Sequence, residues 1–357
     1  MKTYIKFLIL TYIKSLIFVS AVLLSLIVIL NVLSEIEFFN DINVKSYLPI
    51  YISLLNSPSL LFEMLPFIFL ISTQVFFIYL FNNNEIEIFK YSGLKNSSII
   101  QILSILSFFL GLMIIVFFYN FSSNLKNFYL EIKSKYQTDG KYLAVITNNG
   151  LWIKDVKNKK TSIVHASKIN ENYLINTFIT EFDLDYNVIR NIQSEKIDIS
   201  SNEWIVYNPK IYENQKKNEY EVIKKVSNFN YERIKSLFSN LSSLSLIELF
   251  ELRNNYQLLN YSTTEVNVQI NKILSYPLYL MLMTILSSII MFKTKIFKST
   301  SLKMAIGLFS SVIIYYTFNF FNVMGNTERV SIIISVWLPI LLLTLINLFM
   351  MNQVNEK

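Results

Sequence analysis

The sequence predicts an α-helical membrane protein with six transmembrane helices and one domain of β-strands inserted between the third and the fourth helix. The order of segments carries this prediction, because three apolar runs near the N-terminus precede a long polar block and three more apolar runs follow it. Hydrophobic residues make up 53% of the chain and charged residues 16%, a balance under which a water-soluble domain of this size would be poorly soluble. The bilayer is therefore the expected solvent for much of the chain.

Each apolar run is long enough to cross a bilayer as a helix, since roughly 20 residues at about 1.5 Å each match a hydrocarbon layer ~30 Å thick. The runs cover residues 15–34, 64–80, 98–119, 273–292, 304–323 and 330–350. The first run follows Lys2, Lys6 and Lys14 and is longer than the core of a signal peptide, so we expect it to be retained as a span.

Lysine in the short loops predicts the orientation of the spans. With a cytoplasmic N-terminus, the inside segments carry Lys2, Lys6, Lys14, Lys90, Lys95, Lys293, Lys295, Lys298, Lys303 and Lys357. The short outside loops then hold little beyond Lys45 and Arg329, diluted by acidic residues, as the positive-inside bias requires. Both termini are therefore expected in the cytoplasm, and the inserted domain on the opposite face of the membrane.

Short stretches rich in β-branched and aromatic residues predict the strands of the inserted domain. They cover residues 142–147, 151–154, 161–165, 172–181, 188–198 and 203–207. Turn residues such as Gly150 and Pro209 separate them, which favours an antiparallel sandwich or barrel. Apolar spacing over 245–259 predicts an amphipathic helix that leads back to the membrane. The expected domains are 1–121 with spans one to three, 122–268 with the β domain and its helical connectors, and 269–357 with spans four to six.

The residues needed for several kinds of chemistry are missing from the sequence. No two of the six glycines have the five-residue offset of a phosphate-binding P-loop, so ATP is not expected to bind by that route. His165 is the one histidine and cysteine is absent, which excludes the usual zinc sites and a serine triad. We therefore expect no enzyme activity, no cofactor and no metal, and the basic charge, mostly a topology signal, gives no reason to expect a nucleic acid partner.

Charged residues are also absent from the interiors of the six runs. Ion-coupled transporters usually place ionisable side chains inside the bilayer, at a cost of about 2.5 to 3.5 kcal/mol for each. An ion-coupled lipid flippase is therefore disfavoured. A membrane scaffold that holds an assembly and moves nothing stays open as an alternative.

The loop between spans two and three, NNNEIEIFKYSGLKNS over 82–97, is too charged for the membrane and too apolar for a free tether. It predicts a short cytoplasmic helix at about 83–95 that ends at Ser92 and Gly93, with Gly93 as its left-handed cap. Its apolar residues are Ile86, Ile88, Phe89 and Leu94. They need cover, either from a groove of a cytoplasmic partner or from the lipid headgroups.

On these residues the chain resembles the paired permeases that export lipopolysaccharide, the LptF and LptG family, over nearly its full length. Glu85 precedes Gly93 by eight positions and follows a span with Leu-Pro at 65–66, which looks like the coupling-helix signature of the family. Gly-Leu-Trp at 150–152, followed by Lys-Asp at 154–155, resembles a motif that opens the β domain in the LptG branch. This motif favours LptG over LptF.

The resemblance implies an ABC transporter permease subunit in the bacterial inner membrane, with a jellyroll-like β domain in the periplasm. The implied partners are a dimer of cytoplasmic LptB-like ATPase subunits, a second permease of the LptF type and a periplasmic bridge of the LptC or LptA type. The implied substrate is lipopolysaccharide, which the complex extracts from the inner membrane and passes to the bridge.

The resemblance also implies roles for single residues. The residues expected to contact the ATPase are Glu85, Ile86, Phe89, Gly93 and Leu94. The residues that the resemblance implies at the lipid phosphates are Lys126, Lys133 and Lys135, although each of these lysines could equally belong to a solvated helix face. Our own hypothesis adds Leu26, Ile29 and Phe309 of spans one and five at the acyl chains. The chain departs from the resemblance at the outer end of span one, where members can carry a lysine and this chain has Ser34, Glu35 and Glu37. The resemblance therefore does not predict a phosphate contact at the outer end of span one.

Overall fold

The structure is a computed structural model that describes residues 3–40, 42, 44–136, 151–157, 160–170, 172–213, 216–231, 234, 240–258, 261–292 and 299–352. The chain forms two compact units. The helical unit comprises Met1–Tyr129, Ser242–Leu246 and Thr264–Lys357, and the β unit comprises Leu130–Leu241 and Ile247–Thr263.

The described helices follow the apolar runs and extend beyond them. They are α1 (Thr3–Phe38), α2 (Leu48–Asn82), α3 (Glu85–Tyr91), α4 (Asn96–Met113), α5 (Asn120–Ser134), α6 (Leu246–Leu258), α7 (Thr264–Phe292), α8 (Thr300–Asn326) and α9 (Ile332–Asn352). A π-helical segment, Ile114–Tyr119, joins α4 to α5. Within the described part of the chain, six helices are long and apolar enough to cross a membrane: α1, α2, the joined α4 and α5, α7, α8 and α9. The prediction of six spans is confirmed.

Span four lies at the centre of the helical unit. Within its most apolar stretch 83% of the residues are buried, against 6% for span one and 11% for span five. Gly111 of α4 permits the close approach of span three, since a Cβ at this position would lie 2.8 Å from the Cα of Pro277 in α7. Small residues at helix interfaces are the usual means of close packing in membranes.

Hydroxyl groups from spans one to four meet in the interior of the helical unit. The Tyr12 hydroxyl lies 3.1 Å from Ser107 Oγ and 3.3 Å from Thr284 Oγ1, and Thr73 donates to it at 3.5 Å. Ser107 and Thr284 are themselves 2.9 Å apart. Because hydrocarbon offers no partner, such groups must pair with one another, and this cluster links four helices.

In the described residues, the inserted domain forms an antiparallel sheet of eight strands. They are β1 (Leu151–Lys157), β2 (Lys160–Asn170), β3 (Tyr173–Phe182), β4 (Val188–Asp198), β5 (Glu203–Tyr207), β6 (Lys210–Glu213), β7 (Lys216–Glu219) and β8 (Val222–Val226). The order is β1-β2-β3-β4-β5-β8, and β6 pairs with β4 and β7. The inserted antiparallel β domain is confirmed. The strand predicted over 142–147 lies outside the described residues, and β6, β7 and β8 were missed because they are short and rich in charge.

The sheet curls so that its two ends approach each other. Lys225 on β8 forms an ion pair with Glu181 on β3 and donates to Ser162 Oγ on β2 at 3.1 Å. Ser227, just after β8, donates to the Asp155 carboxylate on β1 at 2.8 Å. Among the described strands, β8 and β1 stand at opposite ends of the order and do not pair, and these side-chain contacts connect them. Of the sandwich and the barrel, the curled sheet is nearer to the barrel.

The inner face of the curled sheet is apolar. Trp204 is fully buried, and its indole N–H donates to the carbonyl of Phe229 at 2.6 Å. The fully or almost fully buried apolar residues of β1 to β6 are Leu151, Ile153, Val164, Ala166, Leu174, Ile179, Ile192, Ile197, Trp204, Val206 and Ile211. They alternate with outward-facing residues along the strands, as one packed face requires.

Candidate functional site

The short helix expected between spans two and three is α3, and it ends as its sequence predicts. Gly93 has φ +79°, the left-handed conformation that glycine adopts at low cost. The N–H of Gly93 donates to the carbonyl of Lys90 and that of Leu94 to the carbonyl of Phe89, each at 2.9 Å. These two bonds define a Schellman motif, and Leu94 packs against the buried cluster to which Phe89 belongs.

The apolar residues of α3 divide between two faces. Ile86 and Phe89 are 4% and 9% exposed and belong to a core cluster of the helical unit. The buried partners in that cluster are Leu8, Tyr12, Phe76, Phe77, Leu80, Ile99, Leu103 and Met291. Ile86 and Phe89 therefore hold α3 against spans one to four and are not available to another protein.

The outer face of α3 carries Glu87, Ile88, Lys90 and Tyr91. Ile88 is 54% exposed and Tyr91 is 89% exposed. Ile88 and Tyr91 are three positions apart, so they lie on one side of the helix. Tyr91 was missed in the sequence. The sequence does contain a signal for Tyr91, because an aromatic residue three positions after Ile88 extends the apolar patch on that face of the helix. In the structure this patch faces away from the bundle.

The three predicted lysines lie in different surroundings. Lys126 on α5 is half-buried and within electrostatic range of Glu63 and Lys272. Lys133, near the end of α5, is 7% exposed, whereas Lys135 is exposed. Lys126 belongs to the helical unit, and Lys133 and Lys135 belong to the β unit.

Glu35, near the end of α1, is 2% exposed. Its carboxylate accepts a hydrogen bond of 2.8 Å from the Tyr129 hydroxyl of α5. The carboxylate therefore connects the end of α1 to α5 inside the helical unit. Glu37, two positions later, is exposed.

Spans one and five present exposed apolar faces. Leu26, Ile29 and Phe309 are 50%, 57% and 69% exposed. These residues thus lie where lipid or another chain must cover them. Their low burial agrees with that of spans one and five as a whole.

The residues at the start of the β unit are likewise divided between buried and exposed positions. Leu151 is buried in the sheet, while Trp152 is 57% exposed and its ring lies 4.4 Å from that of His165 on β2. Asp155 is 3% exposed and accepts hydrogen bonds from Ser227 and Asn228. Asp155 therefore connects β1 to the residues that follow β8.

A cavity of about 330 Å³ lies between spans two, four, five and six. Aromatic rings form much of its wall, among them Tyr279 and Phe318, which stack with centroids 4.1 Å apart. Glu63 and Lys272 lie at one end, where a smaller polar pocket of about 60 Å³ adjoins. The sequence pointed to none of these residues, because they come from four helices far apart in the chain.

Metal ligands do not come together in the part of the chain that the structure describes, since no three His, Cys, Asp or Glu side chains form a group there.

A sequence model of one protein family, described as "Lipopolysaccharide export system permease LptF/LptG", matches residues 6–353. No curated protein sequence matches the chain.

Proposed function

Because the chain belongs to the lipopolysaccharide export permease family LptF/LptG, we propose that it is a transmembrane permease subunit of an ABC transporter. In this proposal it extracts lipopolysaccharide from the bacterial inner membrane and passes it to a periplasmic bridge. ATP is hydrolysed by a separate dimer of LptB-like subunits, and a second, LptF-like permease completes the membrane part. Gly-Leu-Trp at 150–152 favours the LptG branch for this chain.

The placement of α3 is the observation that supports this proposal most. A helix that receives force from a cytoplasmic subunit must be fixed to the spans and must also present a surface outward. Ile86 and Phe89 supply the fixed side through the core cluster, and Ile88 and Tyr91 supply the outward side. Gly93 and Leu94 end the helix by a Schellman motif, which keeps this geometry.

The ATPase contact therefore centres on Glu85, Glu87, Ile88 and Tyr91. A short helix with exposed apolar and acidic side chains suits a groove lined by apolar and basic residues. Ile86 and Phe89 take part indirectly, by transmitting the movement of α3 to spans one to four. In this proposal this end of the bundle lies in the cytoplasm and the β unit in the periplasm, which the positive-inside bias of the loop lysines supports.

The lipid is proposed to bind between this permease and its partner. Removing one acyl chain of about 14 carbons from the bilayer costs on the order of 11 kcal/mol at ~0.8 kcal/mol per methylene, so the complex must offer an apolar alternative. Leu26, Ile29 and Phe309 supply it from the exposed faces of spans one and five. Lys126, Lys133 and Lys135 supply charge for the lipid phosphates, and Lys135 is the most accessible of them.

The bridge is proposed to join the β unit by strand addition. Among the described strands, β1, β7 and β8 each pair with a single neighbour. All four residues of β7 are exposed. An edge strand of this kind can accept a strand from another protein through main-chain hydrogen bonds.

Crosslinking from α3 tests the ATPase contact. A photoreactive amino acid at position 88 or 91 should crosslink to a nucleotide-binding subunit in cells, because these side chains point away from the bundle. Position 51 is the matched control, since Tyr51 is 50% exposed at the opposite end of α2 and should give no such product. Crosslinks from 91 to lipid alone, in an intact complex, would remove this role for α3.

Reconstitution tests transport itself. The complex that copurifies with the chain should release lipopolysaccharide from proteoliposomes to a bridge protein only when ATP is hydrolysed. Glu85→Lys should uncouple hydrolysis from release or detach the ATPase, because it reverses the charge at the start of α3. ATP-independent release driven by a proton gradient would support the ion-coupled alternative, and absence of any release would support the scaffold.

A further inference from the structure

Span five meets the rest of the helical unit through a narrow stripe of its surface. Its buried residues are Lys303, Gly307, Ser311 and Gly325, and the first three follow one another at intervals of four positions, on one side of the helix. Lys303, near the start of the span, is 6% exposed. A charged side chain buried in a helix bundle requires compensation, because an uncompensated charge away from water is costly.

Groups of two neighbouring spans compensate the charge of Lys303. Its ammonium donates a hydrogen bond of 3.0 Å to the carbonyl of Met291, the residue before the last of α7. The final carbonyls of a helix have no partner within the helix and form the negative end of its dipole, so a cation is favourable there. The ammonium also lies 5.4 Å from the centre of the Phe81 ring, near the end of α2. Lys303 thus connects the start of span five to the ends of spans two and four.

Gln74 of span two holds the main chain of span five at the same place. Its side chain is fully buried, and its amide donates to the carbonyl of Lys303 at 3.1 Å. Gly307, one turn further along span five, makes room for this amide, since a Cβ at Gly307 would overlap it. The side chain and the main chain of Lys303 are therefore both bound, which ties the start of span five to spans two and four.

The groups that hold Lys303 also belong to the surroundings of α3. Met291 is a member of the core cluster that holds α3, and Phe81 packs against that cluster. Phe292, which follows Met291, contacts Phe77 of the cluster edge to face, with ring centroids 4.8 Å apart. A close-packed interior is little compressible, so a displacement of α3 must displace these rings. It then displaces the carbonyl and the ring to which Lys303 is bound.

We propose that Lys303 is a positioning residue that transmits the movement of α3 to span five. The inference rests on the proposed function, in which a nucleotide-binding subunit moves α3 and span five presents Phe309 to the lipid. When α3 moves, the ends of spans two and four move with it, and the bonds of Lys303 and Gln74 carry the start of span five along. Phe309 lies six positions beyond Lys303, about 9 Å along the helix, so its side chain shifts against the lipid.

The amount of lipid released per hydrolysed ATP tests this role, because a residue that only stabilises the fold would not change this ratio in the complexes that assemble. In the reconstituted complex, Lys303→Met removes the ammonium and keeps an unbranched side chain. It should leave recovery of the ATPase and the rate of hydrolysis within about twofold of the parent and lower the release per ATP about tenfold. Lys303→Arg, which keeps a charged donor, should restore most of the release.

Two further variants complete the set. Lys14→Met is the matched control, since Lys14 is an exposed lysine of span one, and it should leave both hydrolysis and release unchanged. Gln74→Leu breaks the same connection without removing a charge and should lower the release per ATP about threefold at an unchanged rate of hydrolysis. Where Lys303→Met does not assemble, the result for Gln74→Leu decides.

The absence of cysteine from the chain allows the movement itself to be measured. Spin labels on cysteines introduced at positions 90 and 105 report the distance from α3 to span three, and labels at 105 and 313 report the distance from span three to span five. The native residues at all three positions are exposed. In the parent complex ATP should change both distances. In Lys303→Met it should change the distance to α3 and leave the distance to span five as it was.

Three results would overturn the proposal. They are a release per ATP equal to that of the parent, a fall in hydrolysis as large as the fall in release, and an ATP-dependent shift of span five that survives Lys303→Met. The second result would mean that Lys303 only stabilises the assembly. In each of these cases ATP-driven release by the parent complex leaves the proposed function standing. Absence of release by the parent complex would contradict the proposed function and this inference with it, so the two failures are distinguishable.

Discussion

The hydroxyl of Tyr129 on α5 donates a 2.8 Å hydrogen bond to the carboxylate of Glu35 at the end of α1. Both side chains are buried, at 7% and 2% exposure. The bond joins span one, the least buried span, to α5 within the helical unit. Glu35 thus serves the packing of α1 against α5.

Tyr129→Phe should destabilise the helical unit. It removes a donor from a buried carboxylate, and a hydrogen bond to a charged group contributes about 1.5 to 3 kcal/mol. Thermal unfolding of the purified chain in detergent should show a lower midpoint. Tyr47→Phe, at a tyrosine that is 60% exposed, is the control and should leave the midpoint unchanged. Equal midpoints for the two variants would show that the bond contributes nothing.

The two faces of α3 should respond differently to truncation. Phe89→Ala should lower the stability of the chain by about 3 to 5 kcal/mol, because it leaves a hole in the core cluster. Tyr91→Ala should leave the unfolding midpoint unchanged and lower recovery of the ATPase with the chain about tenfold, a loss of about 1.4 kcal/mol. Full recovery of the ATPase with Tyr91→Ala would contradict the docking face.

Gly111→Ala should push spans three and four apart. The added methyl would lie 2.8 Å from the Cα of Pro277, and backbone cannot move aside as a flexible side chain can. The expected cost is about 1 to 3 kcal/mol, measured as a lower unfolding midpoint. Leu112→Ala, at the next position and 41% exposed, removes more atoms but should have a smaller effect. A larger loss of stability for Leu112→Ala than for Gly111→Ala would mean that span three does not pack against span four at Gly111.

The Glu181 carboxylate should make the β unit sensitive to acid. Burial alone raises the pKa of Glu181, but the hydrogen bonds and charges of Arg190 and Lys225 outweigh burial and lower the pKa below its usual value. A depressed pKa in the folded state stabilises the fold above the unfolded pKa, and this stabilisation is lost as the pH falls through the folded value. Unfolding followed by tryptophan fluorescence should therefore show a falling midpoint below about pH 4.5.

Glu181→Gln should flatten this pH dependence and lower the midpoint at pH 7, because it leaves Lys225 without its charged partner. Glu219→Gln is the control. Glu219 pairs with Lys217 at the surface, where both side chains are about half exposed, and such pairs contribute little. A pH profile of Glu181→Gln identical to that of the parent chain would contradict the assignment.

Local sequence patterns were sufficient to predict the six spans and the residues at which α3 ends. An apolar run reports burial in lipid without any reference to the rest of the chain, so all six spans were predicted, although charged flanks such as Glu35 hid how far the helices continue. The cap at Gly93 is likewise a property of a few adjacent residues. Strands β1 to β5 were predicted because β-branched and aromatic residues mark them, whereas Lys216–Glu219 carries no such mark and is a strand only through its pairing with β6.

Tertiary structure alone decided which of these residues face inward and which face outward. Ile86 and Ile88 look equivalent in the sequence, and the contacts of α3 with spans one to four bury one and expose the other. The cavity between spans two, four, five and six has the same origin, since Glu63 and Lys272 meet only after the helices pack. The sequence determines whether each segment prefers water or lipid as its solvent, because that preference is a sum over neighbouring residues. A binding site forms where segments far apart in the sequence pack together and exclude their solvent. This packing depends on tertiary contacts, which no local sequence pattern contains.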